Sequence, residues 1–470
     1  MKKNSYHITV IGCQMNKADS ERIAGFLNNH GLHKAESRET AEFIILTTCG
    51  IRQSAEDRLY GLVHGIRKNQ PKVKIIITGC LSGRKDVLVR LKGKADLFLP
   101  IGEISLLKKW IKQKSWPDSR KKTELIPSNN ASDNKYLKIK PVYESSFQAF
   151  IPIGNGCDNF CSYCVVPYAR DREIYRSAKE IVAEAEGLVK AGYKELALIA
   201  QNVNSYYDDK LKIKNYKLQR SNSKYSHPKN GIGFPALLEL INAIPGNFWI
   251  RFATSHPKDM SDELISAISR CEKVCRHIHL PAQSGDDAIL KKMNRKYTAS
   301  HFTALADRIR KALNGDEKNG NTALWKTPVS LSTDVITGFP GETRAQFNNT
   351  KKLFKKCAFD LAYISQYSPR PGTVAAKMTD SVPRAEKKKR EEELMAMLRK
   401  TALANNKKYL GRTIEVLVEE KIRSGQWFGK TETYKVIKFS ASEPTDLTGQ
   451  FVYVKITKAH DFGLDGIITS

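Results

Sequence analysis

The chain has 470 residues, 41% hydrophobic and 27% charged, which is material for roughly two to four globular domains. No apolar run reaches membrane-spanning length, and the opening residues carry no apolar leader followed by a small-residue cleavage site. A cytoplasmic protein is therefore expected, in which nine cysteines read as metal or redox ligands rather than disulfides. The net charge of +29 points to a polyanionic partner, most simply nucleic acid; the alternative is a lysine-rich surface that only keeps the chain soluble.

Residues 1–111 repeat one pattern: a short apolar strand, a cysteine at its end, then a helix. The runs are Ile8-Thr-Val-Ile-Gly-Cys13, Phe43-Ile-Ile-Leu-Thr-Thr-Cys49 and Ile75-Ile-Ile-Thr-Gly-Cys80. Each is β-branched and apolar along its whole length, as expected for strands buried on both faces of a parallel sheet. The first helix is expected to start at a cap on Asp19 or Ser20, bury Ile23, Phe26 and Leu27, and end at Gly31. Parallel strands deliver their ends to one edge, so Cys13, Cys49 and Cys80 are expected to converge as a three-thiolate cluster site. Ordinary core cysteines are the alternative reading.

Residues 112–145 read as a polar linker, with Pro117, Arg120-Lys-Lys122 and Pro127-Ser-Asn-Asn-Ala-Ser132. From 146 to 382, strand-like runs at 149–154, 196–202, 249–255, 277–283, 329–339 and 362–368 alternate with helical patterns. One such helix is 178–190, with Ile181, Ala185, Leu188 and Val189 facing inward. Six βα units predict a partial TIM-like barrel with its site at the strand C-termini.

The loop after the first of these strands reads Gly156-Cys-Asp-Asn-Phe-Cys-Ser-Tyr-Cys164, placing Cys157, Cys161 and Cys164 in a C-x3-C-x2-C spacing. Such a loop wraps one inorganic cluster, and three thiolates on a four-iron cube leave one iron open. Zinc takes four ligands and no fourth Cys or His lies nearby in sequence; zinc and a chance surface cluster are the competing readings. Phe160 and Tyr163 are candidates to shield the cluster. Cys271, Cys275 and Cys357 read as structural, and His256 as a satisfied strand-end histidine.

Segments 208–230 and 314–326 are polar and aperiodic, as surface loops are. Residues 383–408 predict a helix opened by Pro383, whose run Lys387-Lys-Lys-Arg390 reads as a solvated face, or alternatively an RNA contact. Residues 409–470 return to period-two alternation, Ile414, Val416, Val418 and then Val452, Val454, Ile456. With glycines between them, they predict a small antiparallel barrel. Trp427 and Phe428 are stacking candidates there, or core residues.

These features, in this order, resemble the methylthiotransferases of the radical S-adenosylmethionine (SAM) superfamily over nearly the whole chain. The resemblance rests on Gly12-Cys-Gln-Met-Asn16 with Asp19-Ser-Glu21, Thr48-Cys-Gly-Ile-Arg52, Thr78-Gly-Cys-Leu81 and residues 156–172. It extends to Gln201-Asn-Val-Asn204, Pro281-Ala-Gln-Ser-Gly285, Gly338-Phe-Pro-Gly-Glu-Thr343 and Ser368-Pro-Arg-Pro-Gly372. Departures are Ile11 where Tyr is usual, Thr47 where Asn is frequent, Asp171 in place of a frequent Gly, and a drifting ending after Gly463. Asp171 adds a negative charge near the expected cluster mouth.

The resemblance implies an α/β fold: an N-terminal parallel α/β domain, a partial (βα)6 radical SAM barrel, and an RNA-binding TRAM barrel. It implies two 4Fe-4S clusters, one on Cys157, Cys161 and Cys164 that cleaves SAM to a 5′-deoxyadenosyl radical, and one on Cys13, Cys49 and Cys80 that supplies sulfur. Gln201, Asn202, Gln283, Ser284, Asp334, Gly338, Gly341 and Glu342 are the implied SAM contacts; any one of them can instead cap a strand or helix. The implied substrate is N6-isopentenyladenosine beside a tRNA anticodon, in a single-stranded loop whose base is accessible. Threonylcarbamoyl-adenosine tRNA and a ribosomal-protein aspartate are alternatives within the family. An electron donor such as flavodoxin or ferredoxin, a sulfur source and a monomeric enzyme complete the expectation. A catalytically silent, metal-stabilised RNA-binding protein is the reading from a different class, and an iron–sulfur electron carrier a weaker one.

Overall fold

The computed structural model describes residues 4–51, 53–113, 123–126, 135–209, 231–314, 327–441 and 446–469. The three β-branched runs form the middle of a parallel sheet as Ser5–Ile11, Phe43–Thr48 and Lys74–Gly79, with Ile8 beside Ile45 and Ile45 beside Ile76. Short strands His33–Lys34, Leu97–Phe98 and Glu124–Leu125 extend it to six. Successive side chains point to opposite faces, and both faces are covered: Ile44 and Leu46 enter one core, Phe43 and Ile45 the other.

The first helix, Gln14–Asn28, begins five residues before the expected Asp19 cap, with Cys13 at its N-cap. Asp19, Ser20, Glu21 and Arg22 are consequently inside the helix, and all four are buried. Sequence polarity misplaced the start because this helix has no solvent face of the usual kind. It lies between the N-terminal sheet and the second domain, where Met15 and Ala18 pack on Phe150, Ala197 and Ile199.

The second domain has all six expected parallel strands: Gln148–Pro152, Glu195–Ile199, Trp249–Phe252, His277–His279, Ser330–Thr337 and Leu361–Gln366. They form two three-stranded sheets joined by a bridge between Ile250 and Val274, an arc that follows chain order. Helices such as Ala178–Lys190 pack outside it on Ile151 and Leu198. Phe150, Ala197 and Ile199 face the concave side, which the first helix of the N-terminal domain fills. Several strands end earlier than their apolar pattern suggests, the third at Phe252 and the fourth at His279, and Thr254 and Gln283 beyond them adopt left-handed φ of +68° and +63°.

Of the expected linker, residues 114–122 and 127–134 lie outside the described residues, as do 210–230 and 315–326 of the two inserts. The described part of the linker belongs to the N-terminal fold: Glu124–Leu125 adds a strand, and Tyr136 and Leu137 are buried in its core. The connecting helix is Arg384–Lys407. Its charge run is not wholly solvated, since Lys387 and Arg390 share the buried stripe of Leu394, Leu398 and Ala402. Lys387 pairs with Asp380 at 2.6 Å and Arg390 with Glu342 at 2.7 Å.

The last sixty residues close into a five-stranded barrel whose core holds Ile414, Val416, Val418, Val454 and Ile456. Trp427 is part of that core and Phe428 is half-buried, so Trp427 is not a stacking platform. Among the described residues no helix is long and apolar enough to cross a membrane.

Two buried charges allow direct tests. Arg251, on the third barrel strand, pairs with Glu195 and donates to the carbonyls of Thr431 and Glu432 at 2.8 and 3.0 Å, tying the small barrel to the large one. Arg251→Met leaves the Glu195 carboxylate buried and unpaired; it is expected to cost about 3–5 kcal/mol and to expose residues 407–441 to limited proteolysis. Burial raises the Glu21 carboxyl to about 7. Between about pH 4.5 and 7 the unfolded chain therefore releases a proton that the native chain keeps, and stability falls as pH rises through that window. Glu21→Gln should gain about 3 kcal/mol over the parent at pH 8 and about 1 kcal/mol at pH 5, read by urea unfolding.

Candidate active site

The N-terminal sheet sends Cys13, Cys49 and Cys80 off the ends of adjacent parallel strands, immediately after Ile11–Gly12, Thr48 and Gly79. Cys13 and Cys49 are hydrogen-bonded, and Cys80 is close enough to act on Cys49 electrostatically. The hydrogen bond from Cys49 is the main cause that lowers the Cys13 thiol, with Arg170 helping. Gly12 is needed for this approach. A Cβ there would lie 2.8 Å from the Cys49 Cβ and 2.4 Å from Asn16 Oδ1.

The second set leaves the first barrel strand through Gly154–Asn155. Each of its sulfurs accepts one N–H donor. Asn159 Nδ2 donates to Cys157 at 3.3 Å, Arg295 Nη1 to Cys161 at 3.4 Å, and the Val166 amide to Cys164 at 3.4 Å. Arg295 is held in turn by the Pro281 carbonyl and the Tyr297 hydroxyl, both at 3.0 Å. Gly156 sits at φ +82°, and a Cβ there would lie 2.1 Å from the Arg172 carbonyl oxygen. Asp171 also adopts a left-handed φ, +61°, and its carbonyl accepts the Cys157 amide. Aspartate tolerates that conformation, which accounts for its standing where a glycine is frequent.

The two sets are neighbours. Gly50 packs against Val165, and Cys80 acts electrostatically on Cys164. Arg170, six residues beyond Cys164, reaches across to place Nε 3.4 Å from Cys80 Sγ and Nη2 2.6 Å from Asp19 Oδ2.

The donor chemistry fits iron–sulfur clusters. All nine cysteines are free thiols, and six of them stand as two trios provided with N–H donors, the kind of contact that tunes cluster sulfurs. Among the described residues no three His, Cys, Asp or Glu donors stand at the spacing that holds a single metal ion. Cys271, Cys275 and Cys357 are buried in hydrophobic clusters, with burial pushing the Cys271 thiol up to about 11 and Cys357 to about 12, as structural cysteines require.

The expected SAM contacts separate into two groups. Asn202 lies at the rim of a cavity of about 350 Å³ lined by Asp158, Asn159, Glu173, Tyr175, Ser205, Lys258 and Asp259, beside Cys157. Its amide bonds Ser205 and Asp259, and its oxygen accepts the His256 amide. Gln201 adjoins it, with a buried Oε1 that has no partner among the described residues. Gln283 and Asp334 come together through a backbone hydrogen bond of 2.8 Å, and the half-buried Asp334 carboxylate stands 3.3 Å from His279 Nε2.

The other four expected contacts have protein neighbours of their own. Ser284 is 1% exposed and bonds Thr350 and the Asp286 amide. Glu342 accepts the Gly338 amide and pairs with Arg390, both at 2.7 Å, so its carboxylate is committed to the connecting helix. Gly338 sits at φ +68°, and Lys387 Cγ would lie 2.3 Å from a Cβ there. Gly341, at φ +76°, faces Lys292 Nζ.

His256 is buried, and desolvation with Arg295 and Lys258 nearby lowers it to about 2, so it is a neutral strand-end residue. Tyr163 is partly buried, whereas Phe160 is 38% exposed and meets Tyr168 edge-on at 6.1 Å, forming a rim rather than a shield. Arg170 lies within the 156–172 stretch that carries the resemblance, but nothing in the sequence pointed to its contact with Cys80, and Arg295 carried no sequence signal. Neither spacing nor periodicity marks a single arginine whose partners lie 90 or 134 residues away.

Comparison with known proteins agrees with this geometry. Residues 5–100 match the family described as "Uncharacterized protein family UPF0004", residues 151–354 the radical SAM superfamily, and residues 407–469 the TRAM domain. A tRNA-2-methylthio-N(6)-dimethylallyladenosine synthase from Clostridium botulinum (strain Hall) is 36% identical over 470 residues, covering 98% of this chain and 96% of the relative. Enzymes of the same name from Clostridium novyi and Thermoanaerobacter pseudethanolicus are each 37% identical, covering 99% and 98% of this chain and 98% and 92% of the relatives. The solved radical SAM methyltransferase TsrM from Kitasatospora setae superposes with a TM-score of 0.51 at 13% identity, over 80% of this chain and 77% of that one, and shares the fold. The chain therefore belongs to the tRNA-2-methylthio-N(6)-dimethylallyladenosine synthase family of radical SAM methylthiotransferases.

Proposed function

We propose that the protein adds a methylthio group to C2 of N6-isopentenyladenosine beside a tRNA anticodon, with Cys157, Cys161 and Cys164 holding one 4Fe-4S cluster and Cys13, Cys49 and Cys80 the other. The observation that carries this reading is the meeting of two free-thiol trios from separate domains at one mouth. A binding protein stabilised by metal needs one such trio, not two facing each other.

The C2–H bond of adenine is unactivated, and no side-chain base deprotonates it. The bound clusters and SAM supply the one-electron chemistry and the sulfur that such a bond requires. The residues of the chain bind, orient and exclude water. Arg295, Asn159 and the Val166 amide fix the three barrel sulfurs, while the first N-terminal helix fills the concave side and confines the open volume to the mouth. Gln201, Asn202, Gln283 and Asp334 remain the polar groups there that suit SAM.

Exposed Phe160 and Tyr168, at 38% and 57%, stand beside the cysteine loop where flipped-out loop bases would stack. The charge of +29 draws the polyanion in. An electron donor such as flavodoxin or ferredoxin and a sulfur source complete the cycle.

Anaerobic incubation of reconstituted protein with SAM, reductant, sulfide and isopentenyladenosine-containing tRNA should yield a nucleoside heavier by one methylthio group in mass spectrometry. Release of 5′-deoxyadenosine without that product would reject the substrate. Cys161→Ala is expected to abolish 5′-deoxyadenosine formation. Cys49→Ala should retain it and lose methylthiolation; a Cys49→Ala protein that still methylthiolates would defeat the two-cluster assignment. Tyr168→Ala should raise KM for tRNA on the order of tenfold with a smaller change in kcat, in line with the loss of one base-stacking contact.

A further inference from the structure

We infer that Arg170 is a positioning residue that sets the reduction potential of the cluster on Cys13, Cys49 and Cys80, and that Asp19 opposes it. The inference rests on the reading that those thiols hold a cluster. Arg170 belongs to the barrel domain, yet its guanidinium is buried in the seam with the N-terminal domain, 2% exposed. All three nitrogens are used: Nε on Cys80 Sγ at 3.4 Å, Nη2 on Asp19 Oδ2 at 2.6 Å, and Nη1 on Asn155 Oδ1 at 3.1 Å. Asn155 in turn donates to the Arg170 carbonyl at 3.2 Å, so the planar fork has one orientation.

Asp19 is 1% exposed, and its second oxygen has no partner among the described residues. A buried ion pair is poor value as a stabiliser, because apolar groups of the same volume serve as well. What it supplies here is a fixed field. A cation and an N–H donor at a cluster sulfur favour the reduced, more negative cluster and raise its potential; an anion does the reverse.

The effect is specific to this set. The barrel thiols have their own guanidinium, Arg295 on Cys161, anchored by Pro281 and Tyr297. Because Arg170 is carried by one domain and Cys80 and Asp19 by the other, this contact with Cys80 exists only while the domains are docked; Arg370, also of the barrel domain, acts on Cys49. A domain that swung away would lose it.

The test uses the full chain with Cys157, Cys161 and Cys164 replaced by alanine, so that a single cluster is observed. After anaerobic reconstitution, iron is counted and the potential is followed by EPR-monitored redox titration. Arg170→Met should shift the potential downward and Asp19→Asn upward, with the double variant returning towards the parent, at unchanged iron content. A purely structural pair would give no shift, or shifts of one sign, and either result overturns the inference. If Arg170→Met fails to hold iron, Asp19→Asn and the double variant carry the same test, because the latter leaves no unpaired buried charge. A parent that binds no iron would instead remove the cluster reading itself, and the inference with it.

Discussion

Parallel strands carry their C-terminal ends to one edge, and this constraint governs the molecule. It operates twice: in the N-terminal sheet, whose edge bears Cys13, Cys49 and Cys80, and in the six-stranded arc, whose first strand leads into Cys157, Cys161 and Cys164. Cys13, Cys49 and Cys80, far apart in sequence, are thereby gathered without any local motif to bring them together. The two edges face each other. The helix Gln14–Asn28 enforces this, because one of its faces packs on its own sheet and another fills the concave side of the arc.

The seam between these domains is charged as well as apolar. Glu184 holds Arg22 and Arg176 at 3.2 and 2.6 Å and accepts the Tyr143 hydroxyl at 2.6 Å, while Arg170 and Asp19 pair closer to the thiols. Such networks add little net stability over apolar packing, but they are costly to break one partner at a time. They therefore fix orientation. For groups that must exchange sulfur and electrons with one substrate, a fixed angle between domains matters more than another kilocalorie of stability.

The connecting helix and small barrel follow the same logic at the other end. Lys387 lies over Gly338 and Arg390 grips Glu342, so a basic helix that reads as solvated is a brace for the strand-end turn of the large barrel. Arg251 then joins the third strand of that barrel to the turn at Thr431 and Glu432. A domain that binds RNA loosely in solution would gain effective concentration at the mouth by being held this way.

Sequence alone determined the six barrel strands and the closure of the last sixty residues, and it marked both cysteine trios as candidates. Those are properties of local pattern: β-branched runs, period-two alternation and close thiol spacing are written in neighbouring residues. It misjudged the start of the first helix, because buried Asp19, Ser20, Glu21 and Arg22 imitate a solvated cap. It gave no sign that Ser284 meets Thr350 or that Glu342 pairs with Arg390. Only the tertiary structure decided that the two trios meet, that the Lys387–Arg390 run is half buried, and that Arg170 and Arg295 touch the thiols. A guanidinium's partner depends on which surfaces are brought together, and that is settled by the packing of whole domains rather than by any stretch of chain.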